Sequence, residues 1–466
     1  MEIVGDLKAQ DLLAPIDEMW RLSGVKLRAL AKRYEWSSGP PVCTAAGLYG
    51  PRSWTDWTEG FAHGSAVLQF DATDDEEFLE MGRAGTLGRM RPHLADFGVH
   101  DHGFNVVSTY GNLWRLIEEG RTGENVNERQ LYEQALALSG AVQARRWTNL
   151  GDGAGFIYSF NGAHSLFIDT VRSLRSLALA HSLGEVLRDE SGREVSLLDR
   201  LLQHATTTAR YCVFYGEGRD IYDVRGRVAH EAVFNTADGS YRCPSTQQGY
   251  SPFSTWARGL GWAMCGFAEQ LEFLEALSAK ARAGGSTGDI AKSLPLFREA
   301  AQAACDYYID HATAADGVPY WDDGAPGLAY LPEWRQKPAD PHNDREPVDS
   351  SAAAVAAQGL LRLGTCLGDE RYLDAGLRVA SVLLRPPYLS DDPQHEGLLL
   401  HSAYHRPRGW DYVPPGRKVP SGESSMWGDY HLRELGVLVA RLAGKGPYLT
   451  FFAGPGPACG GTAVAR

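Results

Sequence analysis

The sequence has no run of 18 uncharged apolar residues, the length at which a transmembrane helix would be read, so no membrane partner is expected. Its first residues, Met1-Glu2-Ile3-Val4-Gly5-Asp6-Leu7-Lys8, carry no basic stretch leading into an apolar one, and no secretory signal is expected there. Cysteine is sparse. The seven residues Cys43, Cys212, Cys243, Cys265, Cys305, Cys366 and Cys459 are widely scattered, and none forms a Cys-x-x-Cys pair. That argues against a disulfide frame or a zinc site and for reduced thiols in a cytoplasmic setting. Basic residues are the minority charge, 45 Lys and Arg against 58 Asp and Glu, for a formal net charge of −13. Nucleic acid is therefore not an expected partner, since it needs a basic surface. A small anionic substrate is compatible with this balance, because it needs only a few local cations in a pocket.

What is abundant is glycine and aromatic surface. Glycine makes up 52 of 466 residues, above the average usage of about 7%, so many tight turns are expected. The 12 Trp, 20 Tyr and 16 Phe supply flat apolar faces of the kind on which sugar rings stack, although Trp is equally good core material.

Apolar residues recur at three- and four-residue spacing over 8–32, 60–82, 104–119, 129–143, 163–183, 196–213, 256–278, 290–312, 350–367, 369–384 and 427–443. These segments predict helices separated by loops rich in Gly, Pro, Asp and Asn. Strand signals are few. Val228–Phe234 predicts a hairpin with Tyr241–Cys243 across Asp238-Gly239. No linker divides the chain. The helical rhythm predicts one all-α domain over 1–452, an (α/α)6 barrel whose inner helices and loops surround a central pit, followed by a flexible Gly/Pro-rich tail at 453–466. An elongated solenoid would show a repeat of roughly 34–47 residues, and the sequence has none.

Four stretches concentrate polar and aromatic groups. In Trp256-Ala257-Arg258-Gly259-Leu260-Gly261-Trp262, Arg258 and Trp262 share a helix face. Glycines at 259 and 261 cost about 1 kcal/mol each against Ala, which suggests a close approach to that backbone. The alternative is that Arg258 pairs with a carboxylate and Trp262 packs in the core. In His100-Asp101-His102-Gly103-Phe104, Asp101 could be no more than a helix cap. The two histidines lack acidic partners at ligand-like spacing, so no metal is expected. On the predicted helix 163–183, Ser165, Asp169, Ser173, Ser176 and Ala180 form a small polar stripe with one carboxylate, suited to the wall of a pit. Asp349-Ser350-Ser351 reads as the cap of an Ala-rich helix.

Taken in order, these segments resemble the unsaturated glucuronyl hydrolases, glycoside hydrolase family 88, with the unsaturated rhamnogalacturonyl hydrolases as relatives. The likeness runs from Trp54-Thr55-Asp56-Trp57 to Trp427-Gly428-Asp429-Tyr430. It includes His100-Asp101-His102-Gly103-Phe104, Phe167-Ile168-Asp169, Gln248-Gly249, Trp256-x-Arg258-Gly259-x-x-Trp262 and Val318-Pro319-Tyr320-Trp321-Asp322. The resemblance implies an (α/α)6 barrel that removes a 4,5-unsaturated uronic acid from the non-reducing end of lyase-generated oligosaccharides by hydrating the C4=C5 double bond, with no metal or organic cofactor. It implies Asp169 as catalytic acid and base and Asp101 as its partner. It places His230, Gln248, Arg258, Trp262, Trp57 and Phe160 around the substrate, a small anionic oligosaccharide. Phe160 stands where the family usually has Trp. The segment between Asp169 and His230 is longer than usual and contains Gly216-Glu217-Gly218-Arg219-Asp220-Ile221-Tyr222-Asp223. Chemical logic expects the neighbouring Asp101 to raise the pKa of Asp169. Two other readings use the same residues: an inverting glycosidase acting on saturated glycosides, and a non-catalytic sugar-binding barrel.

Overall fold

The structure, a computed structural model, describes residues 1–3, 5–52, 56–123, 125–151, 153–282 and 288–452. The predicted tail at 453–466, and Trp54 and Thr55 of the first motif, lie outside the described residues. The helices are α1 (Leu13–Arg33), α2 (Glu59–Thr73), α3 (Glu76–Arg89), α4 (His102–Val106), α5 (Asn112–Glu118), α6 (Val126–Arg145), α7 (Thr170–Ser173), α8 (Arg175–Ser182), α9 (Leu197–Tyr211), α10 (Ala257–Arg282), α11 (Gly288–Tyr307), α12 (Ser350–Leu367), α13 (Glu370–Leu383) and α14 (Met426–Leu442). A π turn, Val107–Gly111, joins α4 and α5 into one segment, and α7 runs into α8.

The packing partners close a ring. Segment α2 packs on α4, α4 on α7 and α8, α7 on α10, α10 on α12, α12 on α14, and α14 back on α2. Around it lie α1, α3, α6, α9, α11 and α13, each against an inner neighbour. This is the (α/α)6 barrel that the helical rhythm predicts. Every inner segment begins at the same end. Trp57, Asp101, Asp169 and Trp256, the residues just before α2, α4, α7 and α10, border one cavity. Asp349 and Ser425 cap α12 and α14 beside it.

Inner helices this close leave no room for side chains at the crossings. A Cβ on Gly103 of α4 would stand 2.2 Å from the Ser173 carbonyl oxygen of α7. Part of the glycine excess thus serves helix packing as well as turns. Below the cavity the barrel axis is filled by paired charges rather than hydrocarbon. Arg172 bonds Glu434 at 2.8 Å and also pairs with Glu269, while Arg362 pairs with Glu272 at 2.9 Å. All of these residues are buried.

Two predicted helices differ from the structure. The segment 60–82 is two helices, broken at Asp74 in a left-handed turn (φ 56°) and restarted by the Asp75 carboxylate, which accepts from Glu77 N–H. The segment 163–183 begins as a strand. Ser165–Phe167 pairs antiparallel with Glu231–Phe234, which pairs with Tyr241–Ser245 as the predicted hairpin. Ser165 therefore does not share a helix face with Asp169. Among the described residues no helix is long and apolar enough to cross a membrane.

Candidate active site

Asp169 sits at the junction of the strand Ser165–Phe167 and α7. The preceding N–H, that of Ile168, donates to the His230 carbonyl at 2.9 Å, which fixes where Asp169 points. Asp101 occupies the corresponding position before α4. Neither carboxylate caps its own helix through its side chain. Both turn instead toward one imidazole. His100 Nε2 lies 3.1 Å from Asp169 Oδ1 and 3.7 Å from Asp101 Oδ1. The two oxygens are thus no further apart than those distances together. His100 is held from behind: its carbonyl accepts from Gln143 Nε2 at 2.8 Å and from Ser173 Oγ at 3.0 Å.

The charges of the three groups are interlocked. Burial pushes the Asp101 carboxyl up to about 6, with the Asp169 charge adding to the rise and His100 opposing it. Burial also works to raise Asp169, but the charge and hydrogen bond of His100 more than reverse this and hold it below its ordinary value. Burial lowers His100, and the two carboxylates outweigh that and raise it. The sequence logic expects the raised pKa on Asp169. The structure puts it on Asp101, because the hydrogen bond from His100 goes to Asp169.

The cavity holding these groups has a volume of about 180 Å³ and is walled largely by rings. Trp57 stacks on Trp427 at 5.1 Å and reaches Tyr404 OH through Nε1 at 3.5 Å. Phe160, 40% exposed, lies over His100 at 5.9 Å. Trp262 forms part of the floor, between Phe104 and His431. Seven of the eight residues singled out from sequence line this cavity: Trp57, Asp101, Phe160, Asp169, Gln248, Arg258 and Trp262.

His230 sits one layer back, between Phe167 and Trp256 at ring distances of 4.5 and 4.8 Å. Its Nδ1 accepts from the N–H groups of Gln247 (3.0 Å) and Gln248 (3.3 Å), so Nε2 carries the hydrogen. Burial lowers its pKa to about 4 and keeps the ring neutral. His230 therefore holds the glutamine loop in place.

Arg258 departs most from the sequence reading. Its Nη1 donates to Asp349 Oδ2 at 3.0 Å and to the Ala403 carbonyl. Its Nη2 donates to Gln248 Oε1 and to the Tyr404 carbonyl, both at 2.8 Å. It is the buried ion pair of the alternative reading, and its task at the cavity is to orient Gln248, whose NH2 is left free to donate. The two glycines serve the protein too. A Cβ on Gly259 would meet the Trp256 ring at 2.7 Å, and one on Gly261 the Ala352 carbonyl at 3.2 Å.

Sequence reasoning missed Tyr404 and His405, which line the cavity from the long loop before α14. Asp411 holds that loop by accepting the His405 N–H at 3.0 Å and the Tyr404 N–H. Both ring nitrogens of His405 are buried without a partner, and burial lowers its pKa to about 4. It is a neutral donor and acceptor at the wall. Only its nearness in sequence to Trp410 and Trp427 hinted at it. Two basic residues of the same loop turn to the protein: Arg417 donates to the carbonyls of His342 and Asn343, and Arg408 lies over Trp410 at 5.3 Å. Among the described residues no group of three His, Cys, Asp or Glu is arranged to hold a metal ion.

No protein-family model matches the chain. Curated relatives do. The unsaturated glucuronyl hydrolase of Bacillus sp. strain GL1 is 27% identical over 409 residues, covering 85% of this chain and 89% of that protein. The enzyme of the same name from Formosa agariphila is 24% identical over 380 residues, covering 81% and 78%. Among solved structures, an unsaturated glucuronyl hydrolase specific for heparin superposes with a TM-score of 0.70 at 21% identity, covering 92% of this chain and 98% of that one. With its barrel and its ordered motifs, the chain is a homologue of the unsaturated glucuronyl hydrolases.

Proposed function

We propose that the protein is a glycoside hydrolase that removes a 4,5-unsaturated uronic acid from the non-reducing end of lyase-generated oligosaccharides. The observation that carries the reading is the pair of carboxylates, Asp101 and Asp169, meeting at one imidazole in an aromatic cavity. The names of the relatives support it. The scattered cysteines support a cytoplasmic setting.

The unsaturated ring is an enol ether conjugated with a carboxylate. A proton delivered to C4 leaves an oxocarbenium-like centre at C5, and water adds there. The hemiketal opens by breaking the bond from C5 to the ring oxygen, and the hemiacetal left at C1 expels the aglycone. Asp101 and Asp169 share one proton for this sequence, and it rests on Asp101. A uronate carboxylate entering the cavity adds a negative charge that raises Asp169 as well. The proton then passes from Asp101 to Asp169, which gives it to C4 and takes one back from the attacking water. Gln248, with its oxygen held by Arg258, donates from its NH2 toward the sugar or the water. No step calls for a metal or organic cofactor. An inverting glycosidase separates its carboxyl groups by about 6.5–9.5 Å to seat a water between them. The shared contact with His100 keeps the two Oδ1 atoms within about 6.8 Å of each other, which leaves only the lowest part of that range open.

The direct test is a panel of lyase-generated disaccharides, followed by the loss of enol-ether absorbance. Loss with at least one member is expected. No loss with any, together with release of sugar from a saturated glycoside, would overturn the reading in favour of the inverting glycosidase. Undiminished binding without turnover would favour the sugar-binding barrel.

A pH dependence follows from the pair. Free enzyme must hold the shared proton, and Asp101 loses it as pH rises through about 6. The profile of kcat/KM should therefore fall on its alkaline side from about that pH. Asp101→Asn should lower turnover, still bind substrate, and lose or shift that limb. An unchanged limb in the variant would mean that another group sets it.

A further inference from the structure

We infer that Tyr222 and Phe253 form a stacking platform outside the cavity for the sugars that follow the unsaturated residue, so that the enzyme reads oligosaccharides longer than a disaccharide. This rests on the function proposed above.

The cavity encloses little. At about 180 Å³ it lies below the roughly 300–1,000 Å³ of pockets that bury a whole drug-sized ligand, so it suits one ring. The rest of the substrate must lie on the rim. The rim beside the glutamine loop is where the chain has its long insertion.

That insertion is exposed yet firmly tied. The Asp223 carboxylate accepts the N–H groups of Gly216 (2.9 Å) and Arg219 (2.8 Å). Arg227 binds Asp220 at 2.6 Å and also donates to the Pro252 carbonyl at 3.4 Å, joining the insertion to the glutamine loop. The guanidinium groups of Arg219 and Arg227 both lie against the Phe214 ring. At its tip this braced loop presents an aromatic ring to solvent: Tyr222 is 50% exposed. It meets Phe253, 44% exposed, at a ring distance of 5.2 Å. Two rings from adjoining loops that meet at a tilt of 35° and remain open to solvent offer apolar faces with a phenolic edge, which a pyranose face fits.

Phe253 stands in sequence between two cavity-wall residues, Gln248 and Trp256. Phe253 is three residues from Trp256, a wall residue, so their Cα atoms are at most about 11 Å apart. Tyr250, 52% exposed, lies between Gln248 and Phe253 in sequence.

The test compares an unsaturated disaccharide with the unsaturated tetrasaccharide of the same polymer, choosing the polymer whose disaccharide wild type opens fastest. In the Tyr222→Ala, Phe253→Ala double variant, kcat/KM for the disaccharide should stay within about twofold of wild type. For the tetrasaccharide it should fall about three- to tenfold, through KM, the scale of lost aromatic stacking. Tyr222→Phe, which keeps the ring, should behave as wild type. Equal effects on both substrates, or none on the tetrasaccharide, would overturn the platform. So would a wild-type dimer in sedimentation that the double variant dissolves, because the patch would then serve self-association. If wild type opens no unsaturated substrate, the functional reading itself falls and takes the platform with it.

Discussion

Asp169→Asn should leave the protein folded and remove nearly all turnover. The Asp169 carboxylate does not cap α7, and its hydrogen-bond partner in the cavity is His100, to which an asparagine oxygen could still be offered. The melting temperature should therefore change little. What the amide cannot do is hold and return a proton. General acid-base help is worth about 10²–10⁴-fold, and here one residue serves both the protonation of C4 and the activation of water. Measuring kcat by loss of enol-ether absorbance, alongside a melting curve, checks both halves. A variant keeping a tenth or more of wild-type kcat would remove Asp169 from the mechanism.

Arg258→Ala should be costly in the opposite currency, stability. The guanidinium is buried and pairs with Asp349, which is fully buried and also caps α12 by accepting from Ser351 and Ala352 N–H. Truncation leaves that carboxylate without its counter-charge and leaves the Ala403 and Tyr404 carbonyls short of a donor. Breaking such a pair on one side costs about 3–5 kcal/mol. Denaturant unfolding should show a loss of that order. Adding Asp349→Asn should return part of it, because the second change removes the stranded charge. Activity per folded molecule should also drop, since Gln248 loses the partner that turns it. An Arg258→Ala protein as stable as wild type would mean that the ion pair contributes nothing. Read from sequence alone, Arg258 as a substrate contact predicts that stable outcome.

The contrast shows what was legible and why. The barrel was readable because most helices declare themselves locally, through apolar spacing and, for α12, through the Asp349 cap. Asp101 was readable because it stands in a short motif just ahead of an inner helix, and Asp169 through its motif Phe167-Ile168-Asp169, although the sequence placed it within a helix and the structure places it just before one. The partner of Arg258 was not, since Asp349 lies 91 residues along the chain and only the close contact of α10 and α12 brings the two together. The same holds for His100. It is adjacent to Asp101, but its hydrogen bond spans 69 residues to Asp169, and that bond decides which carboxylate keeps the proton. The strand Ser165–Phe167 was read as helix because its partner, Glu231–Phe234, is equally distant, and small residues fit either period. Tyr404 and His405 come from a loop without periodicity, positioned by Asp411.

The common starting end of the six inner segments has an electrostatic consequence. Each helix carries roughly half a positive charge at its N-terminus, and here those ends gather around one small cavity. On the proposed function they would supply positive potential to the uronate, since the one Arg or Lys lining the cavity among the described residues, Arg258, is paired with Asp349, inside a protein whose formal net charge is −13. The two fields differ in reach. The helix ends act over a single turn at a cavity walled by rings, whereas the net negative charge acts across solvent and is screened over about 8 Å at physiological ionic strength. Added salt should therefore weaken the repulsion that an anionic substrate meets on approach more than the attraction it finds on arrival. The rate of capture, read as kcat/KM, should hold steady or rise as ionic strength increases, where a cleft built from exposed Lys and Arg would lose it.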